Sequence, residues 1–331
     1  MGDKYVVGVI GGGFIASQIH IPVLSCIREV KIGYVADVRD TRLLATTYGL
    51  QSVKIDGDVS SLPDCDIALL AIPVGVREGY IKEFSKRGTA IFSEKPFAID
   101  VAAHERFLGA AKKIACDYMS TCYSSVNQVK SIVSSGVLGG IRGITVSEGR
   151  IAGPTAKSSG HYQEKKELAG GGILMERGCQ TIAQLVYILE GNKFSVDESK
   201  IVSQDGLDID VESRIHVSGG QDFDLIYRLS MIRPLGNRIA FIFDNAEVEY
   251  NHYAPSSTLR ISKAGSNLKE QPMFELVPQR SWATSYPQAH YLKWKRFIAQ
   301  VAGRSPIEPA FETSLDTTRT IADLYALSTE R

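Results

Sequence analysis

At 331 residues the chain exceeds the usual single-domain size and suits two domains of roughly 120 to 200 residues each. Its 37 basic and 37 acidic side chains cancel to a formal net charge of zero, with no basic block to follow a nucleic-acid backbone or an anionic membrane, so both are set aside as partners. No apolar run approaches the roughly 18 residues that span a bilayer, and Cys26, Cys65, Cys116, Cys122 and Cys179 show neither Cys-x-x-Cys nor histidines at metal-ligand spacing; a cytoplasmic protein with buried reduced thiols and no metal is expected.

The first element is a strand, Tyr5 to Ile10, that runs into Gly11-Gly12-Gly13-Phe14-Ile15-Ala16. In such a Gly-x-Gly-x-x-Ala turn Gly11 permits the tight bend and Gly13 lets the backbone approach a pyrophosphate. Small Ala16 lets the next helix lie against the strand, and the N–H groups opening that helix attract phosphate. The chain has 30 glycines, so chance spacings are common and context must decide. The context agrees: a helix follows, and a second strand, Val30 to Ala36, ends in Asp37 about 20 residues past the turn, where a ribose-binding carboxylate belongs. Asp37 favours NAD, while Arg39 and Arg42, just beyond Val38, leave NADP open.

Strand and helix then alternate. Strands are predicted near Val53 to Ile55, Ile67 to Ile72 and Ala90 to Ser93, and helices over Arg39 to Tyr48, Val76 to Ser85 and Val101 to Lys113, the last capped by Asp100. Continuous Ile, Val, Leu and Ala runs fit a parallel sheet covered on both faces, giving a doubly wound Rossmann-type α/β domain over residues 1–119. From residue 120 the pattern changes to a helix Ser125 to Ser135, a strand Ile141 to Glu148, a polar loop Gly153 to Leu168 and a helix Ile173 to Leu189. Alternating segments at 207–217, 223–232, 238–243, 246–250 and 257–262 then predict a large, mostly antiparallel open sheet, closed by helices His290 to Ala302 and Ser314 to Leu327. Residues 120–331 thus read as a second, α+β domain. One face of that sheet must be buried by helices and the other needs cover, which predicts a homo-oligomer, dimer or tetramer, joined through it.

Ile91-Phe92-Ser93-Glu94-Lys95-Pro96-Phe97 sits at the carboxyl end of a predicted parallel strand, where ligands of open α/β sheets bind. Pro96 biases Lys95 toward an extended backbone. A partly desolvated lysine beside a cationic ring exchanges protons near neutral pH. An exposed loop lysine is the alternative that spacing alone leaves open.

Together, Gly11-x-Gly13-x-x-Ala16, Asp37, Glu94-Lys95-Pro96, Ser135-Gly136-Val137-Leu138-Gly139 and Gly170-Gly171-Gly172-Ile173-Leu174 resemble the glucose-fructose oxidoreductase/inositol dehydrogenase/MocA (Gfo/Idh/MocA) family over nearly the whole chain. The resemblance implies an N-terminal Rossmann domain that binds NAD(H) or NADP(H) through Gly11 to Ala16, Asp37, Val38, Arg39, Ile72, Pro73, Glu94, Lys95 and Pro96. It implies an open C-terminal sheet used in oligomerisation, a catalytic Lys95 and a cis Lys95–Pro96 bond. It also implies hydride transfer between the nicotinamide and an alcohol or ketone carbon of a sugar, polyol or sugar nucleotide.

The third motif departs from the family, which has Asp and His where this chain has Glu176 and Gln180. Four residues apart, the two share one helix face. Glutamine hydrogen-bonds a hydroxyl but exchanges no proton near neutral pH. Lys95 with Glu176, Lys95 alone, or a loop residue, His161 or Tyr162, are the three ways to supply the proton; relatives often place an aromatic residue near position 162. Arg77, where relatives have His, reads either as a bidentate anion holder or as a solvated helix-surface arginine. His20, Met175, Trp282 and Trp294 read as packing residues. Two further readings stay open: a cofactor-binding sensor or partner subunit without turnover, suggested by Gln180, and a reductase of a C=N or C=C bond.

Overall fold

A computed structural model of the chain describes residues 4–151, 162–265, 273–305 and 314–330. Of these, residues 4–118 and 290–305 make one compact unit, and residues 119–289 and 314–330 make another.

The first unit is built on six parallel strands, β1 (Tyr5–Ile10), β2 (Val30–Asp37), β3 (Gln51–Lys54), β4 (Ile67–Leu70), β5 (Ala90–Ser93) and β6 (Ile114–Cys116), in the order β3-β2-β1-β4-β5-β6. The chain's direction of travel across the sheet reverses between β1 and β4, the switch point at which such folds bind ligands. Helices α1 (Ile21–Ser25), α2 (Arg42–Tyr48), α3 (Arg77–Lys86) and α4 (Val101–Ala110) connect the strands. The central strands are apolar throughout because they are buried on both faces: Ile67 to Leu70, Ile91 and Phe92 are inaccessible. The strand read near Val53 is instead an edge, with Gln51 and Lys54 exposed. Helix α4 starts at its expected cap, where Asp100 accepts the Ala103 N–H at 2.6 Å, but it stops at Ala110. The expected helix runs to Lys113, and the apolar residues after it form β6, a strand that the sequence pattern does not announce.

Helix α8 (Tyr286–Val301) brings Trp294, Phe297 and Ile298 into the core of this unit beside Val7, Leu69 and Phe92. The rings of Trp294 and Phe92 lie 4.2 Å apart. Burying an indole of roughly 200 Å² at about 25 cal/mol per Å² contributes on the order of 5 kcal/mol, enough to tie a late segment of the chain to an early sheet.

In the second unit nine strands pair in the order β14-β13-β12-β11-β7-β10-β9-β8-β15. They are β7 (Ile141–Gly149), β8 (Lys193–Gln204), β9 (Leu207–Ser218), β10 (Phe223–Ser230), β11 (Gly236–Phe243), β12 (Ala246–Asn251), β13 (Leu259–Lys263), β14 (Phe274–Leu276) and β15 (Ser328–Glu330). The sheet is largely antiparallel, with β7–β10 and β8–β15 parallel. Strand β8 escaped sequence reading because only Val196, Ser199 and Ile201 of its 12 residues are buried and charges interrupt the alternation. Its pairing with β9, not its own pattern, makes it a strand. Helices α5 (Ser124–Ser135) and α9 (Leu315–Ala326) pack against α7 (Cys179–Ile188), and α9 also lies on β8. The outward residues of the sheet pair charge with charge: Arg228 with Glu212 at 3.1 Å, and Arg238 and Arg260 with Glu249 at 3.4 and 3.2 Å.

The expected polar loop holds, in its described part, a turn Tyr162–Glu164 and the short helix α6 (Lys166–Ala169). All five cysteines are free; Cys26 is exposed, against the expectation of burial, because it caps the short helix α1 at the surface. No described helix is long and apolar enough to cross a membrane.

Candidate active site

The sequence-predicted nucleotide residues line up along one edge of the first sheet. Asp37 ends β2, Gly11 follows β1, Ile72 and Pro73 follow β4, and Glu94, Lys95 and Pro96 follow β5. These are the carboxyl ends of four adjacent strands, so the row spans about 14 Å at the usual strand spacing. Such a row suits a long ligand laid across the switch point.

Each glycine of the turn has its own cause. Gly11 has φ +97°, its N–H donates to Ala36 O at 2.7 Å, and a Cβ would sit well inside the 3.0 Å limit against Ala71 O. A Cβ on Gly12 would lie 2.7 Å from Thr41 Cγ2, also inside that limit. Gly13 differs: a Cβ there would meet only Arg39 Nη2, at 3.5 Å. The protein's own packing does not require that glycine, whereas a phosphate close to the backbone would. Ala16 is fully buried, and Phe14 is 79% exposed. The helix begins with a π turn, Ala16–His20, a form frequent at functional sites.

Asp37 accepts the N–H of Gly12 at 2.7 Å and of Arg39 at 2.8 Å, and the Arg39 guanidinium at 3.2 and 3.3 Å. Burial pushes the Asp37 carboxyl up, but these donors outweigh burial and hold it below the usual carboxylate range. Tyr80, on α3, belongs to the same corner: burial and then the Asp37 charge raise its phenol. Sequence spacing gave no sign of Tyr80, since it depends on how α3 lies against the sheet.

Lys95 is half-buried, and its peptide bond to Pro96 is cis, as the resemblance implied. Its backbone is held from two sides. Glu94 Oε2 accepts the Lys95 N–H at 3.1 Å, and Arg77 Nη1 donates to the carbonyls of both Glu94 and Pro96. Arg77 also donates to Ile72 O through Nε at 3.0 Å and Nη2 at 2.8 Å. Neither sequence reading of Arg77 holds: at 2% exposure it is neither solvated nor turned toward a ligand anion, but ties the β4 and β5 ends together. A guanidinium suits this because its planar fork serves several carbonyls at once.

In the second unit the triple glycine is a packing device. Gly170 has φ +81°, a Cβ on Gly171 would strike the Tyr325 hydroxyl, and one on Gly172 would strike the Asp208 backbone. Asp208 accepts the N–H groups of Gly172 at 2.6 Å and Leu174 at 2.8 Å and the Tyr325 hydroxyl at 2.6 Å. Those backbone donors open a second π turn, Leu174–Gly178, which holds Glu176 and leads into α7. Glu176 and Gln180 are both half-buried, and Gln180 Oε1 accepts the Ser120 hydroxyl at 2.9 Å. Tyr162 is 41% exposed; His161 lies outside the described residues.

Behind the same motif helix, sequence reading missed a buried carboxylate. Glu148, inaccessible on β7, accepts from Tyr253 Oη at 2.6 Å, Thr181 Oγ1 at 2.8 Å and His252 Nε2 at 3.0 Å. Burial raises its carboxyl, and the hydrogen bonds, that of His252 foremost, more than reverse the effect.

Residues 5–121 match the family described as "Oxidoreductase family, NAD-binding Rossmann fold". No curated protein matches the sequence. Similar solved structures include a 3-ketoreductase from Actinomadura kijaniata in complex with NADP and TDP-benzene, at 17% identity over 99% of each chain and a TM-score of 0.81. An aldose-aldose oxidoreductase from Caulobacter crescentus complexed with glycerol is 18% identical over 98% of this chain and 97% of that one, with a TM-score of 0.79. Levoglucosan dehydrogenase in complex with NADH is 14% identical over 98% and 96%, with a TM-score of 0.82. At these identities the likeness shows the fold. Over residues 5–121 the chain is similar to the Gfo/Idh/MocA oxidoreductases, with an NAD-binding Rossmann fold.

Proposed function

We propose that the protein interconverts an alcohol and a ketone on a sugar, polyol or sugar nucleotide, with Lys95 carrying the hydroxyl proton. The observation that carries the reading is Lys95 at the end of β5, half-buried, its backbone fixed on both sides, in the same row as the glycine turn and Asp37. The fold neighbours, a ketoreductase, an aldose oxidoreductase and a sugar-type dehydrogenase, support the substrate class.

Gly11 to Ala16 would hold the pyrophosphate, Asp37, Val38 and Arg39 the adenine ribose, and Ile72, Pro73 and Glu94 to Pro96 the nicotinamide end. When bound, the nicotinamide supplies the hydride acceptor or donor. In the oxidising direction the neutral Lys95 amine takes the hydroxyl proton as hydride leaves the carbon; in the reducing direction its ammonium returns that proton to the carbonyl oxygen. Glu176 and Gln180, four residues apart in the motif that departs from the family, orient the substrate hydroxyls in this reading. Gln180 cannot itself exchange a proton, so this reading gives that task to Lys95, alone or with Glu176. The two donors of Arg39 on Asp37 leave the carboxylate able to serve a ribose diol and the guanidinium able to turn to a 2′-phosphate, so NAD is favoured and NADP accepted. Self-association through the open sheet is part of the same reading, and light scattering in the micromolar range tests it.

Purified protein mixed with NADH or NADPH and a panel of sugars, keto-sugars and nucleotide sugars should oxidise the coenzyme with at least one of them. Lys95→Ala should abolish that turnover and keep coenzyme binding. Absence of binding to either coenzyme would end the redox reading; binding without turnover across the panel would favour the sensor.

A further inference from the structure

Within the first unit a chain of buried hydrogen bonds runs from helix α8 to the Lys95 peptide. The indole Nε1–H of Trp294 meets His20 Nδ1 at 3.0 Å. An indole N–H only donates, so Nδ1 must be the accepting nitrogen and the imidazole proton sits on Nε2. That Nε2–H donates to Glu94 Oε1 at 2.8 Å, and the other oxygen of Glu94 accepts the Lys95 N–H at 3.1 Å. Trp294 and His20 are inaccessible and Glu94 is 8% exposed. The His20 tautomer is therefore set at the far end of the chain of bonds, by a residue that the sequence reads as packing.

His20, Glu94, Asp117 and His290 place ligand-type atoms within 4.8 Å of one another, which invites a metal reading. The same Trp294 bond argues against it. With Nδ1 already accepting the indole proton, coordination through Nε2 would require the ring to lose its remaining N–H proton and become an imidazolate. Asp117 instead accepts from His290 Nδ1 at 2.6 Å and stands 3.7 Å from His20 Nε2, closing the cluster as a hydrogen-bonded network.

We propose that Trp294 and His20 are positioning residues for Lys95, acting through Glu94. By fixing the His20 tautomer, Trp294 obliges the imidazole to donate to Glu94, which fixes the carboxylate and leaves one oxygen for the Lys95 N–H. Packing alone would need only the ring of Trp294 against Phe92; the N–H adds direction, and a buried acceptor left without its donor is costly. The inference rests on the reading of Lys95 as the proton carrier, since only then does its placement matter to the reaction.

The test uses the whole protein labelled with [15N]lysine, in which Lys95→Arg identifies the Lys95 amide signal. Trp294→Phe keeps the ring and removes the donor, His20→Leu removes the relay, and His20→Gln restores an N–H donor toward Glu94. In Trp294→Phe and His20→Leu the Lys95 amide proton should move upfield and exchange with solvent about tenfold faster, while Lys82 in α3 keeps its rate. His20→Gln should hold the signal near its original place, and NADH affinity should stay within about threefold in the Trp294 and His20 variants. An unchanged Lys95 amide in folded Trp294→Phe overturns the proposal, even if His20→Leu fails to fold. Failure of the unaltered protein to bind NADH would remove the proton-carrier reading, and the Lys95 amide would still decide the positioning.

Discussion

Gly11 and Ala71 approach so closely that no side chain fits between them, whereas two residues later Gly13 faces open space apart from the tip of Arg39. The first glycine is required by the fold and the second is not. Gly11→Ala, forced to keep φ near +97° against a carbonyl, should lower unfolding stability by about 1–3 kcal/mol or more. Gly13→Ala should leave stability within about 0.5 kcal/mol and weaken NADH binding at least tenfold. Thermal melts and fluorescence titration read the two effects separately. Equal destabilisation by both substitutions would show that the turn serves packing alone.

Asp37 and Arg39 should divide the choice of coenzyme. Losing a charged acceptor for the ribose hydroxyls costs about 1.5–3 kcal/mol, so Asp37→Ser should weaken NADH roughly 10- to 100-fold and NADPH much less. Arg39→Ala should do the reverse, weakening NADPH more. Parallel titrations with the two coenzymes measure both ratios, and unaltered ratios would remove these residues from the ribose site.

The contacts of Asp208 in the second unit are a matter of stability. Three donors converge on that carboxylate. Tyr325→Phe removes one, at about 1 kcal/mol, while Asp208→Ala strands all three and should cost about 3 kcal/mol or more. Urea unfolding gives both values. If Tyr325→Phe proved the costlier, the ring's packing and not Asp208 would be holding the triple-glycine turn.

Glu148 predicts an acid limb. Its folded carboxyl titrates below the ordinary 4.5, so it contributes stability that is fully present above that value and is lost as pH falls through the folded value. The stability difference between the unaltered protein and Glu148→Gln should therefore be flat from neutral pH to about pH 5 and shrink toward pH 3. A difference that did not change with pH would mean that the fold does not shift the Glu148 carboxyl, and one that grew toward acid would mean that Glu148 is protonated in the folded protein.

How far the sequence could be read followed from the distance over which each residue finds its partner. Asp100 capping α4 and the glycine turn after β1 were legible because every participant lies within a few residues. The long strand β8 was not, since its polar sequence becomes a strand only by pairing with β9 and lying under α9. Arg77 was misread for a similar reason: its environment comes from the ends of β4 and β5, which helix periodicity does not describe.

By itself the sequence determined the parallel nucleotide-binding sheet, the carboxylate Asp37 at the end of its second strand, the Lys95-Pro96 turn at a strand end and the change to a second, sheet-dominated unit, because period, turn chemistry and strand-end position are local properties. Only the tertiary structure decided which residues hold those positions in place. Arg77 on the carbonyls beside Lys95, Trp294 behind His20 and Glu94, and Asp208 with Tyr325 at the triple glycine are each partners brought together from distant parts of the chain. A buried polar group must find a partner wherever the fold supplies one, and linear spacing carries no record of where that is.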